Sequence, residues 1–264
     1  MTRRRLDQEL VRRGLVASPG EAEDVLRDGR VTVSGRQVTK PTSLVAAEEP
    51  IVVSEPPRAY ASRGGLKLAA ALNRLGLDPR GRRCLDAGAS TGGFTDVLLS
   101  RGAEYVVAVD VGYGQLAWRL RDDPRVTVLE RTNVRSLKPD DLPFPPDLVV
   151  ADLSFISLTA AIPALASVAG PDADFVLLVK PQFEATPSDV GPGGVVSESE
   201  VWRRALTRVA EACRHRRLTP LGVVVSSPRG PAGNVEFFLH ARRGAPAANL
   251  DVDAALEEGR ELAS

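Results

Sequence analysis

Leu85-Asp86-Ala87-Gly88-Ala89-Ser90-Thr91-Gly92-Gly93-Phe94 is the stretch that decides the fold. It follows a short apolar run, Arg83 to Asp86, that reads as a strand, and it opens into Gly93-Phe94-Thr95-Asp96-Val97-Leu98-Leu99, which reads as a helix. Ligands of open α/β sheets bind beyond the carboxyl ends of the strands. Glycines there let backbone approach a ligand closely, and the helix start favours negative charge. A dinucleotide site would prefer G-x-G-x-x-G; here the glycines fall at Gly88, Gly92 and Gly93, and an acid, Asp86, precedes them. The next strand, Tyr105 to Val109, runs into a second acid, Asp110, 24 residues after the first. An acid in that place can accept both hydroxyls of an adenosine ribose.

Working outward, the alternation continues. A helix is expected over 115–121, strands over 125–129 and 147–152, a helix over 157–169, a strand over 175–180, a helix over 198–214, and strands over 221–226 and 234–240. Asp147-Leu148-Val149-Val150-Ala151-Asp152 is almost wholly apolar, as a strand covered on both faces should be. The βαβ alternation predicts a doubly wound, mostly parallel sheet. Residues 252–263 are expected to be an acidic terminal helix or a frayed tail. Toward the N-terminus, Leu68, Leu72 and Leu75 mark one face of a helix over 63–75, with Lys67 off that stripe. Glu55-Pro56-Pro57-Arg58-Ala59-Tyr60 reads as a Pro-containing linker and a boundary. Ahead of it, Leu6 and Leu10 mark a helix over 5–13 closed by Gly14, Ser18-Pro19-Gly20-Glu21 reads as a capping box, and residues 30–38 read as a hairpin turning at Ser34-Gly35.

The 264 residues hold 34 Lys+Arg and 34 Asp+Glu, a net charge of zero. The total conceals a split: residues 1–83 carry 16 basic and 10 acidic residues, the remainder 18 and 24. A basic N-terminal third of this kind fits a nucleic-acid partner. No apolar run is long enough to span a bilayer, and Met1 to Asp7 lacks the apolar stretch of a signal peptide. A cytoplasmic protein is expected. Two cysteines, Cys84 and Cys213, and two histidines argue against a disulfide framework or a His-based metal site. No metal is expected, and a monomer is.

Arg5-Leu6-Asp7, Leu10, Gly14-Leu15, Ser18, Ala22, Gly29, Val31, Val33, Gly35 and Lys40-Pro41 resemble an S4-type RNA-binding domain, which implies a small α+β module. Pro19 stands where such domains commonly carry an arginine. The resemblance makes Arg3, Arg4, Arg5, Arg12, Arg13, Arg30 and Arg36 its expected RNA contacts, with Arg58, Tyr60 and Arg63 after it. The glycine loop with its second-strand acid resembles an S-adenosylmethionine-dependent methyltransferase. That implies a Rossmann-like, mostly parallel seven-stranded sheet and a cofactor set of Asp86, Gly88, Ala89, Ser90, Gly92, Gly93, Phe94, Asp110, Val111, Gln115, Leu116, Asn133 and Asp152. Asp86 would meet the methionine amine directly or through water.

The acceptor should show at the ends of the fourth and fifth strands. An amino-directed enzyme would usually carry Asn/Asp-Pro-Pro-Tyr, and the chain has Asp152-Leu153-Ser154-Phe155. Lys67, Asp152, Lys180 and Glu236 resemble the Lys-Asp-Lys-Glu tetrad of FtsJ-like ribose 2′-O-methyltransferases. Under that resemblance Lys180 would take the hydroxyl proton or steer the hydroxyl as a cation, while Asp152 and Glu236 hold the lysines. Taken together the motifs resemble the TlyA family of ribosomal-RNA cytidine 2′-O-methyltransferases, often labelled haemolysins. The linker departs from it, with Arg58-Ala59-Tyr60 where the family often has Arg-x-Trp. The expected division is 1–57 RNA-binding, 58–62 linker, 63–250 methyltransferase and 251–264 terminal helix or tail. Two other readings are a membrane-active cytolysin, whose one amphipathic candidate is the helix over 198–217, and an RNA-binding protein with an inactive methyltransferase fold.

Overall fold

The computed structural model describes residues 3–54, 60–230 and 232–263. The chain forms two compact units, one up to residue 58 and the other from residue 59. Arg58 and Ala59, the start of the expected linker, lie outside the described residues, as do residues 55–57 ahead of it.

The first unit runs β1 (Arg3–Arg5), α1 (Leu6–Arg12), α2 (Pro19–Arg27), β2 (Val31–Val33), β3 (Arg36–Gln37), β4 (Leu44–Ala46) and β5 (Ile51–Val53). Leu6 and Leu10 meet Ala22, Val25 and Leu26 over Val31 and Val45 to form its core. The hairpin turns at Ser34 and Gly35, both left-handed (φ 49° and 79°), the backbone that matches the twist of paired strands. Ser18 caps α2 by accepting from the Glu21 amide at 3.2 Å, but the Glu21 carboxylate reaches back to the Ala17 amide, not to Ser18. Arg3–Arg5 pairs antiparallel with Leu44–Ala46. That pairing has no periodic signal in the sequence.

The second unit runs α3 (Arg63–Leu75), β6 (Arg83–Ala87), α4 (Gly93–Ser100), β7 (Tyr105–Val109), α5 (Trp118–Arg121), β8 (Val126–Leu129), β9 (Leu148–Ala151), α6 (Leu158–Val168), β10 (Asp174–Val179), α7 (Pro181–Glu184), α8 (Ser199–Arg214), β11 (Leu218–Val225), β12 (Phe237–Arg243) and α9 (Asp253–Ala263). The strands form one seven-stranded sheet in the order β11-β12-β10-β9-β6-β7-β8. β8, β7, β6, β9 and β10 are parallel, and β12 lies antiparallel between β10 and β11. Alternate residues of each strand serve opposite faces, as the pleat requires. Leu148, Val150, Val176 and Leu178 face α3 and α4, while Val149, Ala151, Phe175 and Leu177 face α6, α8 and α9.

Three boundaries differ from expectation. The helix expected from residue 115 begins at Trp118, because the Ala117 amide is drawn to the Thr91 carbonyl and residues 115–117 fold against the glycine loop. β11 starts at Leu218, three residues early, and β12 runs on to Arg243. The terminal segment is a docked helix, not a frayed tail: Ala255, Leu256 and Gly259 are buried, and Gly259 sits against Trp202 and Phe237.

Candidate active site

Beyond the ends of β6, β7 and β9 lies a cleft of about 530 Å³, within the range of small-molecule sites. It is lined by Gly88, Ser90, Asp110, Val111, Gln115, Asn133 and Asp152, among others. One wall is mostly backbone. Gly88 has φ +87°, and a Cβ on it would meet the Asp152 carbonyl oxygen at 2.4 Å. Only glycine lets the first-strand loop pass so close to the fourth strand. Gly93 makes the same kind of approach: a Cβ there would stand 2.9 Å from the Gly65 nitrogen. The starts of α3 and α4 thus meet beside the cleft. Asp110 is held by two amides, Ser90 at 2.8 Å and Gly112 at 2.7 Å.

Asp86 is placed differently from the expectation. It is fully buried, lines neither the cleft nor the neighbouring pocket, and accepts from the Thr95 hydroxyl at 2.6 Å. Burial pushes its carboxyl up to about 7, against the opposing Thr95 hydrogen bond, with Asp152 adding to the rise. Its Oδ1 is buried without a partner among the described residues. Leu116 also moves out of the expected set: it packs under Gly92 and lines only a small space behind the loop. An adenosine-sized cleft, a pre-oriented acid at its edge and a lone buried acid oxygen behind the loop fit a nucleoside cofactor with a cationic tail.

The second wall is made of side chains. A pocket of about 260 Å³ adjoins the loop and is lined by Lys67, Asp152, Lys180 and Glu236 together with Gly88, Ala89, Ser90, Gly93 and Phe94. The four charged residues come from α3, the end of β9, the end of β10 and the approach to β12, and they form two ion pairs. Lys67 Nζ is 2.6 Å from Glu236 Oε2, both side chains buried. Lys180 Nζ is 2.6 Å from Asp152 Oδ1, while its aligned hydrogen bond goes to Ser154 Oγ at 3.0 Å. Pairing answers the cost of placing these charges in a part-dry pocket. Cys84 and Cys213 are buried, and desolvation pushes both thiols up to about 12. Neither serves as a nucleophile.

The pocket also contains residues with no signal in the sequence. Ser154, Ser62 and Arg229 line it. Phe155, left-handed at φ +63° and 92 % exposed, stands at the cleft with its ring 5.4 Å from that of Phe183. A loop following an unremarkable strand gave no cue to these.

The expected RNA contacts divide into two groups. Arg3, Arg4 and Arg36 are exposed with no ion pair among the described residues, and Arg63 is exposed at the rim of the pocket. Arg13 is diverted inward: its guanidinium binds Glu9 and the carbonyls of Ala46, Ala47 and Glu49. Arg12 pairs with the buried Glu9, Arg5 with Asp7, and Arg30 with the Ser54 carbonyl. The two arginines hold the Glu9 carboxyl down at about 2. Tyr60 packs against Gly65, and the Ala61 amide is held by Asp96 at 2.7 Å, so this end of the expected linker belongs to the methyltransferase unit. The apolar side of α8, the one candidate for membrane insertion, is occupied: Val201, Trp202, Leu206 and Val209 are buried against the sheet. No helix among the described residues is long and apolar enough to cross a membrane.

Comparison with known proteins agrees with this geometry. Residues 60–243 match the family model of FtsJ-like methyltransferases, and residues 4–51 that of the S4 domain. The 16S/23S rRNA (cytidine-2′-O)-methyltransferase TlyA of Mycobacterium tuberculosis is 52 % identical over 91 % of this chain and 90 % of its own length. Hemolysin A of Brachyspira hyodysenteriae is 34 % identical over 89 % of this chain and 98 % of its own. The solved structure of a candidate hemolysin from Streptococcus thermophilus superposes with a TM-score of 0.74 at 35 % identity, covering 100 % of this chain and 96 % of that one.

Proposed function

The chain belongs to the FtsJ-like methyltransferases, in the TlyA family that carries an S4 domain ahead of the catalytic unit, and from that premise we propose that it methylates the ribose 2′-hydroxyl of cytidine in ribosomal RNA. The observation that carries the reading is the pair of ion pairs, Lys180–Asp152 and Lys67–Glu236, gathered from four elements beside the glycine loop.

S-adenosylmethionine, the cofactor the family implies, supplies an electrophilic methyl group on a sulfonium. Asp110, fixed by the Ser90 and Gly112 amides, is set to accept from the ribose hydroxyls of its adenosine. Val111, Gln115 and Asn133 line the same cleft and suit the adenine end. Gly88 and Gly93 keep side chains out of the floor.

A ribose hydroxyl is a weak nucleophile and must be oriented and relieved of its proton. Lys180 is the residue that meets it. Either role, a cation that steers the oxygen or an amine that receives the proton, requires Nζ where Asp152 and Ser154 hold it. Lys67 and Glu236 close the back of the pocket with a charge pair that keeps the reacting oxygen's surroundings polar yet shielded. Phe155 offers a ring face on which an unstacked base can rest, as a nucleotide turned out of its helix requires. Buried, protonated cysteines fit this oxygen chemistry and not a carbon-5 pyrimidine transfer. The unpaired arginines of the first unit supply charge toward the phosphates.

The test is incubation of the purified protein with labelled S-adenosylmethionine and isolated ribosomal subunits. Label is expected in ribosomal RNA with the wild type and not with Lys180→Ala. Equal incorporation by both, or none by the wild type, would overturn the assignment.

A further inference from the structure

The end of the sheet remote from the active site carries a second feature. There the C-terminal turn of α8, the start of β11 and the end of β12 enclose a concavity of about 670 Å³, lined by Arg214, Arg216, Arg217, Thr219 and Arg243 with the segment 244–248. The six residues of β10 separate this end from Lys180, about 20 Å at the rise of a strand.

The arginines of α8 fall into two sets. Arg203 pairs with Asp253, Arg204 with Asp189, and Arg208 donates to the Glu184 carbonyl. Past the helix end the pattern reverses. Arg214, Arg216 and Arg217 are exposed, and their guanidinium groups have no hydrogen-bond or ion-pair partner among the described residues. Arg243 has two, donating to the Ala166 and Ala169 carbonyls at the end of α6, and so forms a fixed basic wall. Thr219 donates to the Ala245 carbonyl at 2.7 Å and holds the far side. Asp172 lies near Gly244 at the rim and pairs with none of these arginines. The negative end of a helix favours a nearby cation, which accounts for one arginine there. It does not account for three unpaired cations converging on one hollow in a region, residues 84–264, that otherwise carries a surplus of acid. Like charges crowded without a paired carboxylate are stabilised by an anionic partner, and guanidinium groups match phosphate oxygens.

We propose that this concavity is a docking surface for the phosphate backbone of a folded RNA, separate from both the catalytic pocket and the S4 unit. The inference rests on the reading of the substrate as RNA. Its place, a sheet's length from the reacting hydroxyl, fits an RNA that wraps the methyltransferase unit, and no short single strand confined to the pocket would use it.

The experiment is filter binding of deproteinised ribosomal RNA to the full-length protein between 50 and 200 mM salt, with methyl transfer measured in parallel. Three proteins are compared: wild type, the triple variant Arg214→Gln, Arg216→Gln and Arg217→Gln, and a control, Arg203→Gln with Arg204→Gln, from the paired set. Loss of three phosphate contacts should lower the slope of log affinity against log salt by about 2 to 3. Over that fourfold range of salt, the drop in affinity should shrink by about 16- to 64-fold. The control should stay within about twofold of the wild type, and melting temperature and cofactor affinity should hold in all three. A triple variant with wild-type affinity and slope, or one no weaker than the control, would overturn the docking surface. Methyl transfer by the wild type would in that case leave the proposed function standing. RNA binding that depends on the three arginines, without methyl transfer, would fault the proposed function and leave the surface intact.

Discussion

The two walls of the active site are built in opposite ways. The proposed cofactor wall is the local segment Gly88 to Gly93, where backbone geometry does the shaping, with Asp110 oriented beside it by two amides. The proposed catalytic wall is four charged side chains from positions as far apart as 67 and 236, held in two pairs. A local wall tolerates little change in backbone but needs few particular side chains. A gathered wall needs each side chain and depends on the whole sheet being in register. Substitutions should therefore fail differently on the two sides.

The largest effect is expected on the gathered side. Lys180→Ala should lower turnover by about a thousandfold, within the usual range for a positioned proton-transfer group, while calorimetric affinity for S-adenosylmethionine stays within about twofold. A comparable loss of cofactor affinity would break the division of labour. Next is Glu236→Ala, which leaves Lys67 buried without its partner and should destabilise the fold by about 3 kcal/mol in chemical denaturation. The same change at Asp152, which is more exposed, should cost less stability and more activity.

On the local side the effects are smaller and of another kind. Gly88→Ala sets a Cβ against the Asp152 carbonyl oxygen in a left-handed conformation. It should weaken cofactor binding by about tenfold, roughly 1.4 kcal/mol, and lower the melting temperature. Asp86 gives the smallest and most pH-dependent signal. Its carboxyl titrates near 7 in the fold against near 4 unfolded. The folded chain therefore holds that proton longer, and stability falls as pH rises through this window and levels above it. Between pH 6 and 8 the wild type should lose about 1 kcal/mol that Asp86→Asn does not, measured as melting temperature against pH.

The same contrast explains what the chain's letters disclose. The loop, the strand-end acids and the βα alternation are local patterns, so the order of elements through β10 and the position of the glycine loop beside Asp110 could be read directly. Lys67 and Glu236 are 169 residues apart, and nothing in either neighbourhood signals the other; only the resemblance to a known tetrad joined them. Asp86 reads as a partner for a cofactor amine, directly or through water, because it ends a strand; its bond to Thr95, in the first turn of α4, has no signal in the sequence. Arg13 looked like an RNA contact, yet the buried Glu9 four residues earlier and three carbonyls of residues 46–49 claim it. Arg229 and Phe155 stand on irregular segments, where no period marks which side chains turn inward.

The central claim is that the two ion pairs serve an oxygen of ribose. The direct measurement is alkaline digestion of ribosomal RNA methylated by the wild-type protein, followed by mass analysis of the label-bearing fragments. A methyl group on the cytidine 2′-oxygen blocks cleavage at the adjoining phosphate, so the label should appear in an alkali-resistant dinucleotide. Label found only in free mononucleotides, with the methyl group on the base, would contradict the account.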